Sequence, residues 1–193
     1  MLFNGTIYLL EALGADEGTF SGRLRSVEFK SFLYWRETGH PEVGTADCFG
    51  SAIVRSAEGH VLLGVQRSGH INEGLAYLPG GFLDDRDVRD DGRVDINASV
   101  AREIGEEMGL GAAELTQDPG CIVTMLGPQI SIGVSYRSPL DAGTLRGKAM
   151  SHIAADADAE LAAVIAVTCK AELEDLAVPP YTRLLLQSLP DLP

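Results

Sequence analysis

The sequence predicts an α/β sandwich built around a mixed sheet. Its 193 residues are enough for one compact domain, or for one domain with a small appendage. Hydrophobic residues make up 45% of the chain and charged residues 22%, which is an ordinary globular mixture. Strand-like and helix-like segments follow one another without the regular alternation of a doubly wound nucleotide fold. A mixed sheet is therefore expected.

Residues 1–45 predict a small β-rich extension, and residues 46–193 form the expected main domain. Short apolar groups separated by glycines in the extension are typical of antiparallel strands, and a helical turn is expected at residues 31–36. Apolar and β-branched runs predict five strands in the main domain. These are residues 46–55, 60–66, 121–126, 129–136 and 161–168.

One helix is predicted most clearly, over residues 96–108. Asp95 suits its N-cap, and Gly109 suits the position just after its last turn. Apolar residues recur every four positions along it, as a buried helix face requires. They are Ile96, Val100, Ile104 and Met108. Further along the chain, residues 141–158 are expected to form a long loop. A short helix is expected at residues 170–176, and an amphipathic C-terminal helix at residues 181–189.

The charge balance restricts the partners. The chain has 28 acidic against 15 basic residues and a net charge of −13, which argues against a protein that neutralises long nucleic acids. Its three cysteines lack the spacing of a zinc site or a disulfide framework. No apolar stretch reaches the roughly 20 residues that span a bilayer. We therefore expect a cytoplasmic protein with no membrane partner.

The predicted helix carries the chemically informative residues. Glu103, Glu106 and Glu107 are spaced so that all three share one helix face. Carboxylate oxygens are hard ligands that suit Mg²⁺ or Mn²⁺, and bound metal would relieve the repulsion among them. Arg102 could hydrogen-bond one carboxylate and orient it. The alternative is a solvated acidic face with no ligand.

The full string resembles a known motif. The sequence REIGEEMGL at residues 102–110, preceded by PGG at residues 79–81, resembles the core of the Nudix box. The family pattern runs from a glycine to a glutamate and then to Arg-Glu-apolar-x-Glu-Glu-x-Gly-apolar. The resemblance implies a Nudix-like α/β/α sandwich with a mixed sheet, here with a small N-terminal β unit.

The same resemblance implies roles for individual residues. Glu103, Glu106 and Glu107 would be the metal-ligand carboxylates, and Arg102 would orient them. Gly81 would offer its backbone carbonyl to metal or substrate, and we also place the neighbouring Gly80 in the substrate-binding segment.

The chain departs from the family pattern in one respect. Twenty residues separate Gly81 from Arg102, seven more than in the family. Counting forward from Gly81, the expected glutamate falls on Asp87; counting back from Arg102, it falls on Val94. Asp87 could serve through a longer loop, or the acidic run at residues 84–91 could simply be solvated. We favour the solvated interpretation.

The resemblance also implies the reaction. It would be a Mg²⁺-dependent hydrolysis, with Mn²⁺ possible, of the diphosphate linkage of a nucleoside diphosphate derivative by metal-activated water. Glu160 is our first choice for the general base, ahead of Asp156 and Asp158. Arg67, at a predicted strand end, is our candidate for a phosphate contact.

The N-terminal region narrows the substrate further. Residues 2–5, 24–25 and 29–33 look like the opening of Nudix hydrolases that split UDP-sugars, so a UDP-sugar is favoured and an ADP-ribose-like compound comes next. Two other hypotheses stay open. One is a catalytically weak Nudix-like nucleotide-binding module. The other is an interaction protein whose N-terminal unit could pair subunits as a homodimer.

Overall fold

The N-terminal unit is a long hairpin followed by a helix. In the computed structural model, which describes residues 5–70 and 72–192, strand β1 (Thr6–Asp16) pairs antiparallel with β2 (Thr19–Glu28), and helix α1 (Phe29–Glu37) follows. This matches the predicted strands and helical turn. Residues 2–4, which contribute to the UDP-sugar resemblance, lie outside the described residues. The division of the chain at residue 45 stays a prediction.

Seven strands form the main sheet. They are β3 (Asp47–Arg55), β4 (Val61–Gln66), β5 (Ala76–Tyr77), β6 (Thr116–Gln117), β7 (Ile122–Leu126), β8 (Gln129–Arg137) and β9 (Leu161–Val167). The central path runs β5-β4-β3-β8-β6, with β9 beside β4 and β7 beside β8. Strands β3 and β8 are parallel and the other pairs are antiparallel. The sheet is therefore mixed.

Helices cover both faces of this sheet. They are α2 (Ile96–Met108), α3 (Ala142–Ala155) and α4 (Pro180–Ser188), with short 3₁₀ turns at Asp85–Asp87 and Lys170–Glu174. Along β3 the buried side chains alternate: Ala52 and Val54 pack with α2 and α3, and Ile53 packs with α4. Alternation along a strand places neighbours on opposite faces. This confirms the predicted sandwich with its mixed sheet and N-terminal β unit.

The helix predicted over residues 96–108 is confirmed as α2. The Asp95 side chain accepts a hydrogen bond from the Ala98 N–H at 3.1 Å and caps the first turn. Gly109 ends the helix in the left-handed region at φ 64°, where a residue without a Cβ is least strained. Because Val100 and Ile104 are buried, the opposite side of α2 is left for its polar residues.

The loop predicted at residues 141–158 is wrong, because most of that segment is α3. Asp141 caps the helix by accepting from the Thr144 N–H at 2.8 Å. The helix buries a narrow face of two small and two larger apolar residues, consisting of Ala142, Leu145, Ala149 and Ile153. Such a face has little hydrophobic contrast with the glycines and alanines around it, so the periodic signal on which helix prediction depends is weak.

Among the described residues, no helix is long and apolar enough to cross a membrane.

The two predicted hairpins are present, but β3 and β4 pair at a single position, Arg55 with Val61. Beyond it the strands diverge, since β4 pairs with β5 and β9 while β3 pairs with β8. The divergence leaves space at one end of the sheet.

Candidate active site

A cavity of about 520 Å³ lies at this end of the molecule and gathers most of the predicted site residues. Those that line it are Gly80, Gly81, Glu103, Glu106, Glu107 and Glu160. The glutamates of α2 reach it from one helix face, as their spacing predicts. The fourth carboxylate comes from the residue just before β9, far away in the sequence.

Two glycines fix the distance between β3 and α2. A Cβ on Gly80 would lie 2.1 Å from the backbone oxygen of Gly50, and a Cβ on Gly81 would lie 2.7 Å from Oε1 of Glu103. Both distances are shorter than van der Waals contact allows, so a side chain at either position would displace its neighbour. The absence of side chains therefore lets the backbone at residues 80–81 pass directly beside the carboxylates.

Glu107 is the most buried of the glutamates, with 7% of its surface exposed. Its Oε1 accepts a hydrogen bond from the Tyr77 hydroxyl at 2.8 Å, and its Oε2 accepts from the Gly80 N–H at 3.3 Å. Burial raises its pKa well above the usual range, and the Tyr77 bond opposes the shift while the charges of Glu103 and Glu160 add to it. A bound cation would remove this cost of ionising a buried carboxyl.

Arg102 organises the other two glutamates of α2. Its Nη1 donates to Oε1 of Glu103 at 2.7 Å and to Oε2 of Glu106 at 3.1 Å. Burial raises the pKa of Glu103, the Arg102 guanidinium lowers it, and the net shift is upward. Glu106 is more open, with about half its side chain exposed, and it also receives a 3.4 Å hydrogen bond from Arg86.

The donor set suits a hard divalent cation, since it consists of carboxylate oxygens and a nearby backbone carbonyl. In the described part of the chain, however, no three His, Cys, Asp or Glu side chains converge in a geometry that could hold a metal ion. One oxygen of Glu103 and one of Glu106 accept from Arg102, and the two oxygens of Glu107 accept from Tyr77 and Gly80. The chemistry therefore fits a metal, and these side chains must turn to bind one.

Glu160 and Arg67 belong to one local arrangement. Glu160 is exposed and lines the cavity, and its charge raises the pKa of Glu107. Arg67 does not line the cavity; its Nη1 donates to the Ala157 carbonyl at 3.3 Å, and its backbone N–H donates to the Glu160 carbonyl at 2.8 Å. In this structure Arg67 therefore supports the segment that carries Glu160, and its phosphate contact stays a prediction.

The rest of the cavity lining has a different character, which the sequence did not reveal. Its lining includes several aromatic side chains, namely Phe29, Phe32, Phe49, Phe82 and Tyr181. Three polar residues stand with them: Arg36 of α1, Asp47 of β3 and Gln129 of β8. No local pattern marks these positions, because three separate elements bring them together.

Comparison with known proteins identifies structural neighbours. No protein-family model matches the chain, and no curated protein matches it. The Nudix hydrolase RenU from M. smegmatis is 19% identical, with 76% of this chain and 88% of that one covered at a TM-score of 0.47. The Nudix domain of Shewanella oneidensis NrtR, complexed with ADP ribose, is 17% identical, with 83% of this chain and 94% of that one covered at a TM-score of 0.43. A C. elegans Ap4A hydrolase is 13% identical, with 72% of this chain and 92% of that one covered at a TM-score of 0.48. The chain resembles Nudix proteins in structure.

The structure also shows how the long segment between Gly81 and Arg102 is accommodated. Asp87, which we interpreted as part of a solvated run, is 4% exposed and accepts a hydrogen bond from Nη2 of Arg102 at 3.0 Å. The solvated interpretation is therefore wrong for Asp87, although Asp85, Asp90 and Asp91 are exposed as expected. Asp87 was the residue reached by counting forward from Gly81.

Residues 88–94, the seven by which this segment exceeds the pattern that it resembles, fold outward. Val88 and Val94 form an antiparallel bridge, and the Asp95 N–H donates to the Asp87 carbonyl at 2.8 Å. The two ends of the insertion are thereby held together directly before α2. Because Asp87 and Asp95, which flank the insertion, are hydrogen-bonded to each other, Asp87 can reach Arg102 as if the insertion were absent.

Proposed function

We propose that this chain is a Nudix-type, Mg²⁺-dependent hydrolase that cleaves the diphosphate linkage of a nucleoside diphosphate derivative. The observation that carries the proposal is the cavity: Glu103, Glu106 and Glu107 line it together with Glu160, and aromatic side chains line it as well. Its volume of about 520 Å³ lies within the range of small-molecule sites. A long nucleic acid is disfavoured by the net charge of −13.

The metal-binding residues follow from the donor set. Glu103, Glu106, Glu107 and the Gly81 carbonyl would hold Mg²⁺, or Mn²⁺ in its place. When bound, the metal supplies neutralisation of phosphate charge and a more acidic water. Tyr77 and the Gly80 N–H hold the Glu107 carboxylate at the edge of the cavity, from which it would turn toward the metal.

The remaining roles belong to side chains of the chain itself. Arg102, hydrogen-bonded to Glu103, Glu106 and Asp87, orients the carboxylates. Glu160 is the proposed general base, since it is exposed at the cavity and can accept a proton from water without first giving up the contacts that hold the glutamates of α2.

A UDP-sugar is the favoured substrate, on the resemblance of the N-terminal segments, and an ADP-ribose-like compound is next. The N-terminal unit contributes Ile7, Phe29, Phe32 and Arg36 to the cavity, so it would contact the bound substrate. Arg67 remains our candidate for a phosphate contact. A cytoplasmic location, which the sequence leads us to expect, and a homodimer, which it leaves open, complete the proposal.

A substrate panel tests this function. UDP-glucose, ADP-ribose, NADH, a dinucleoside polyphosphate and an NTP are incubated with Mg²⁺ or Mn²⁺, and the products are identified. We expect a nucleoside monophosphate and a phosphorylated second product. Glu107→Gln should lower kcat by at least about 100-fold, because electrostatic groups at the reacting phosphate are worth that much. Glu174→Gln, at an exposed position away from the cavity, is the matched control and should match the unmutated protein.

A second function is favoured by one observation, the engagement of the glutamates by Arg102, Tyr77 and Gly80 with no converged metal geometry among the described residues. It is a nucleotide-binding module with weak or no catalysis. In that case the unmutated protein would turn over none of the panel, and Glu107→Gln would bind nucleotide as tightly as the unmutated protein does.

A further inference from the structure

Few cationic side chains line the cavity, although the proposed substrate brings a diphosphate into it. Among the described residues, the arginines and lysines that line it are Arg36 and Arg86, while Arg67 and Arg102 do not. Arg86 also contacts a proposed metal ligand, because its Nη1 donates to Oε1 of Glu106 at 3.4 Å. A phosphate bound beside Glu106 would therefore lie close to the Arg86 guanidinium.

Asp84 holds one edge of this guanidinium. Nε of Arg86 donates to Oδ1 and Oδ2 of Asp84 at 3.1 and 3.0 Å, and Nη2 donates to Oδ2 at 2.7 Å. Paired contacts of this kind fix the orientation of an arginine. Nη1 carries two N–H groups, and in the described part of the chain Glu106 is its hydrogen-bond partner. At least one N–H of Nη1 is therefore available to a ligand.

The contact between Arg86 and Glu106 can be exchanged for another. The two side chains are 59% and 51% exposed, and an exposed ion pair of this kind contributes little to stability. Glu106 would have to turn to bind a metal, whereas the bonds between Arg86 and Asp84 do not involve Glu106. Arg86 would then keep its position and present both N–H groups of Nη1.

The turn that carries Arg86 is anchored on two sides. The N–H of Asp84 donates to Oδ2 of Asp87 at 3.0 Å, and Asp87 is in turn bonded to α2. On the other side, the Tyr8 hydroxyl of β1 donates to Oδ1 of Asp85 at 2.7 Å. Because the backbone of the turn is held at both places, binding through Arg86 would order little further structure, which favours affinity.

We propose that Arg86 contacts the diphosphate of the substrate, donating from Nη1 to a phosphate oxygen, and that Asp84 is its positioning residue. Arginine suits this role because its rigid set of donors matches phosphate oxygens. The contact would also supply positive charge in a cavity where carboxylates outnumber cationic side chains. The inference rests on the proposed function, since it assigns a residue to the diphosphate of that substrate.

Equilibrium binding of a diphosphate analogue that carries no base tests the inference without requiring turnover. The probe is methylenediphosphonate, whose P–C–P bridge is not hydrolysed, titrated by calorimetry in the presence of Mg²⁺. Arg86→Gln should raise its Kd about 10- to 100-fold, the factor typical of a hydrogen bond to a charged group. Arg89→Gln is the matched control, because Arg89 is also 59% exposed and paired with an aspartate but does not line the cavity. It should bind the probe as the unmutated protein does.

Metal binding alone separates a phosphate contact from an effect on the metal ligands. Mn²⁺ binding without the diphosphonate is followed through the EPR signal of the free ion. Arg86→Gln removes a positive charge and a competitor for Glu106, so it should bind Mn²⁺ at least as tightly as the unmutated protein does. Arg86→Lys keeps the charge but loses the fork that Asp84 holds, and its affinity for the diphosphonate should lie between those of Arg86→Gln and the unmutated protein.

The outcomes separate this inference from the proposed function. Three results overturn the Arg86 contact even if diphosphates are hydrolysed: unchanged diphosphonate affinity in Arg86→Gln, no measurable diphosphonate binding by the unmutated protein, or an equal loss of diphosphonate and Mn²⁺ affinity. Weaker diphosphonate binding with Mn²⁺ binding retained supports the contact even if no diphosphate in the panel is cleaved, in which case the hydrolase proposal fails alone.

Discussion

At the scale of single residues, Arg102 is the charge around which the acidic site is built. Burial lowers its pKa, but the hydrogen bond to Asp87 and the charges of Glu103 and Asp87 raise it by more. The guanidinium therefore stays charged in a partly buried position. Its fork-shaped set of donors holds Asp87 on one side and the glutamates on the other, which a point-charge lysine would not do.

This arrangement predicts the effect of Asp87→Asn. The change keeps the size of the side chain but removes the charge that holds Nη2 of Arg102. Partners that orient metal ligands are typically worth about 10- to 100-fold in affinity or activity, so we expect kcat/KM to fall by that factor. Asp90→Asn, which lies in the same acidic segment but is exposed, should change it less than twofold by the same measurement.

Thermal melting of the two variants separates positioning from folding. If Asp87→Asn lost activity only because it unfolded, its melting temperature would fall below the assay temperature. Full activity in a folded Asp87→Asn would contradict the role given to Asp87, and the solvated interpretation of the acidic run would then apply to function even though the residue is buried.

At the scale of elements, the site depends on how closely the segment at residues 79–81 passes β3 and α2. The backbone N–H of Ala52 donates to the Pro79 carbonyl at 2.7 Å, so the segment is bonded to β3. Gly80 then packs against backbone, while Gly81 packs against the carboxylate of Glu103. Adjacent glycines therefore have different neighbours, and alanine should have a different effect at each.

Gly80→Ala and Gly81→Ala test this difference. At Gly80 the new Cβ would meet the Gly50 carbonyl at 2.1 Å, and since backbone cannot move aside, we expect a loss of roughly 1–3 kcal/mol in the free energy of unfolding. At Gly81 the new Cβ would meet the Glu103 carboxylate, which can turn away, so activity should fall more than stability. Urea denaturation and kcat are measured for both.

The control is Gly111→Ala, because a Cβ there meets nothing within 4 Å. That variant should keep both its stability and its activity. Equal losses of stability at Gly80 and Gly81 would contradict the view that one glycine is required by backbone packing and the other by the position of a carboxylate.

At the scale of the whole molecule, the negative charge is concentrated where the proposed metal would bind. The net charge of −13 includes three glutamates on one face of α2, and a fourth carboxylate from Glu160 lines the same cavity. Burial and mutual repulsion raise the pKa of Glu103 and Glu107, so ionising them weakens the metal-free fold. A divalent cation should therefore stabilise the entire domain.

Mg²⁺ should accordingly raise the melting temperature. A ligand present at 100 times its Kd adds about 2.7 kcal/mol to the free energy of unfolding, which for a domain of this size is several degrees. Melting curves with Mg²⁺, and after EDTA removes it, give the shift. NaCl at the same ionic strength is the control for screening, and Glu106→Gln should reduce the shift.

A shift no larger than that caused by NaCl would count against specific metal binding. It would favour the nucleotide-binding module, in which Arg102 and Tyr77 keep the glutamates engaged. Because melting reports on binding alone, this result would be independent of the substrate chosen for the activity panel.

The features that the sequence alone determined are those encoded by patterns over a few neighbouring residues. Helix 96–108 and the shared face of Glu103, Glu106 and Glu107 follow from helical periodicity, which acts over a few residues and does not depend on distant contacts. The hairpins follow from local turn chemistry in the same way. The forward spacing from Gly81 also pointed to Asp87, although the insertion made its role ambiguous.

Only the tertiary structure decided the features that distant segments share. The burial of Asp87 depends on the bridge between Val88 and Val94, which folds the insertion away. Helix α3 packs a narrow face against the core, and a face with only two large apolar residues, Leu145 and Ile153, carries little signal by itself. Asp47 pairs with Gln129 through the parallel register of β3 and β8. The two residues are 82 positions apart in the sequence, so no short-range sequence pattern predicts that they are neighbours.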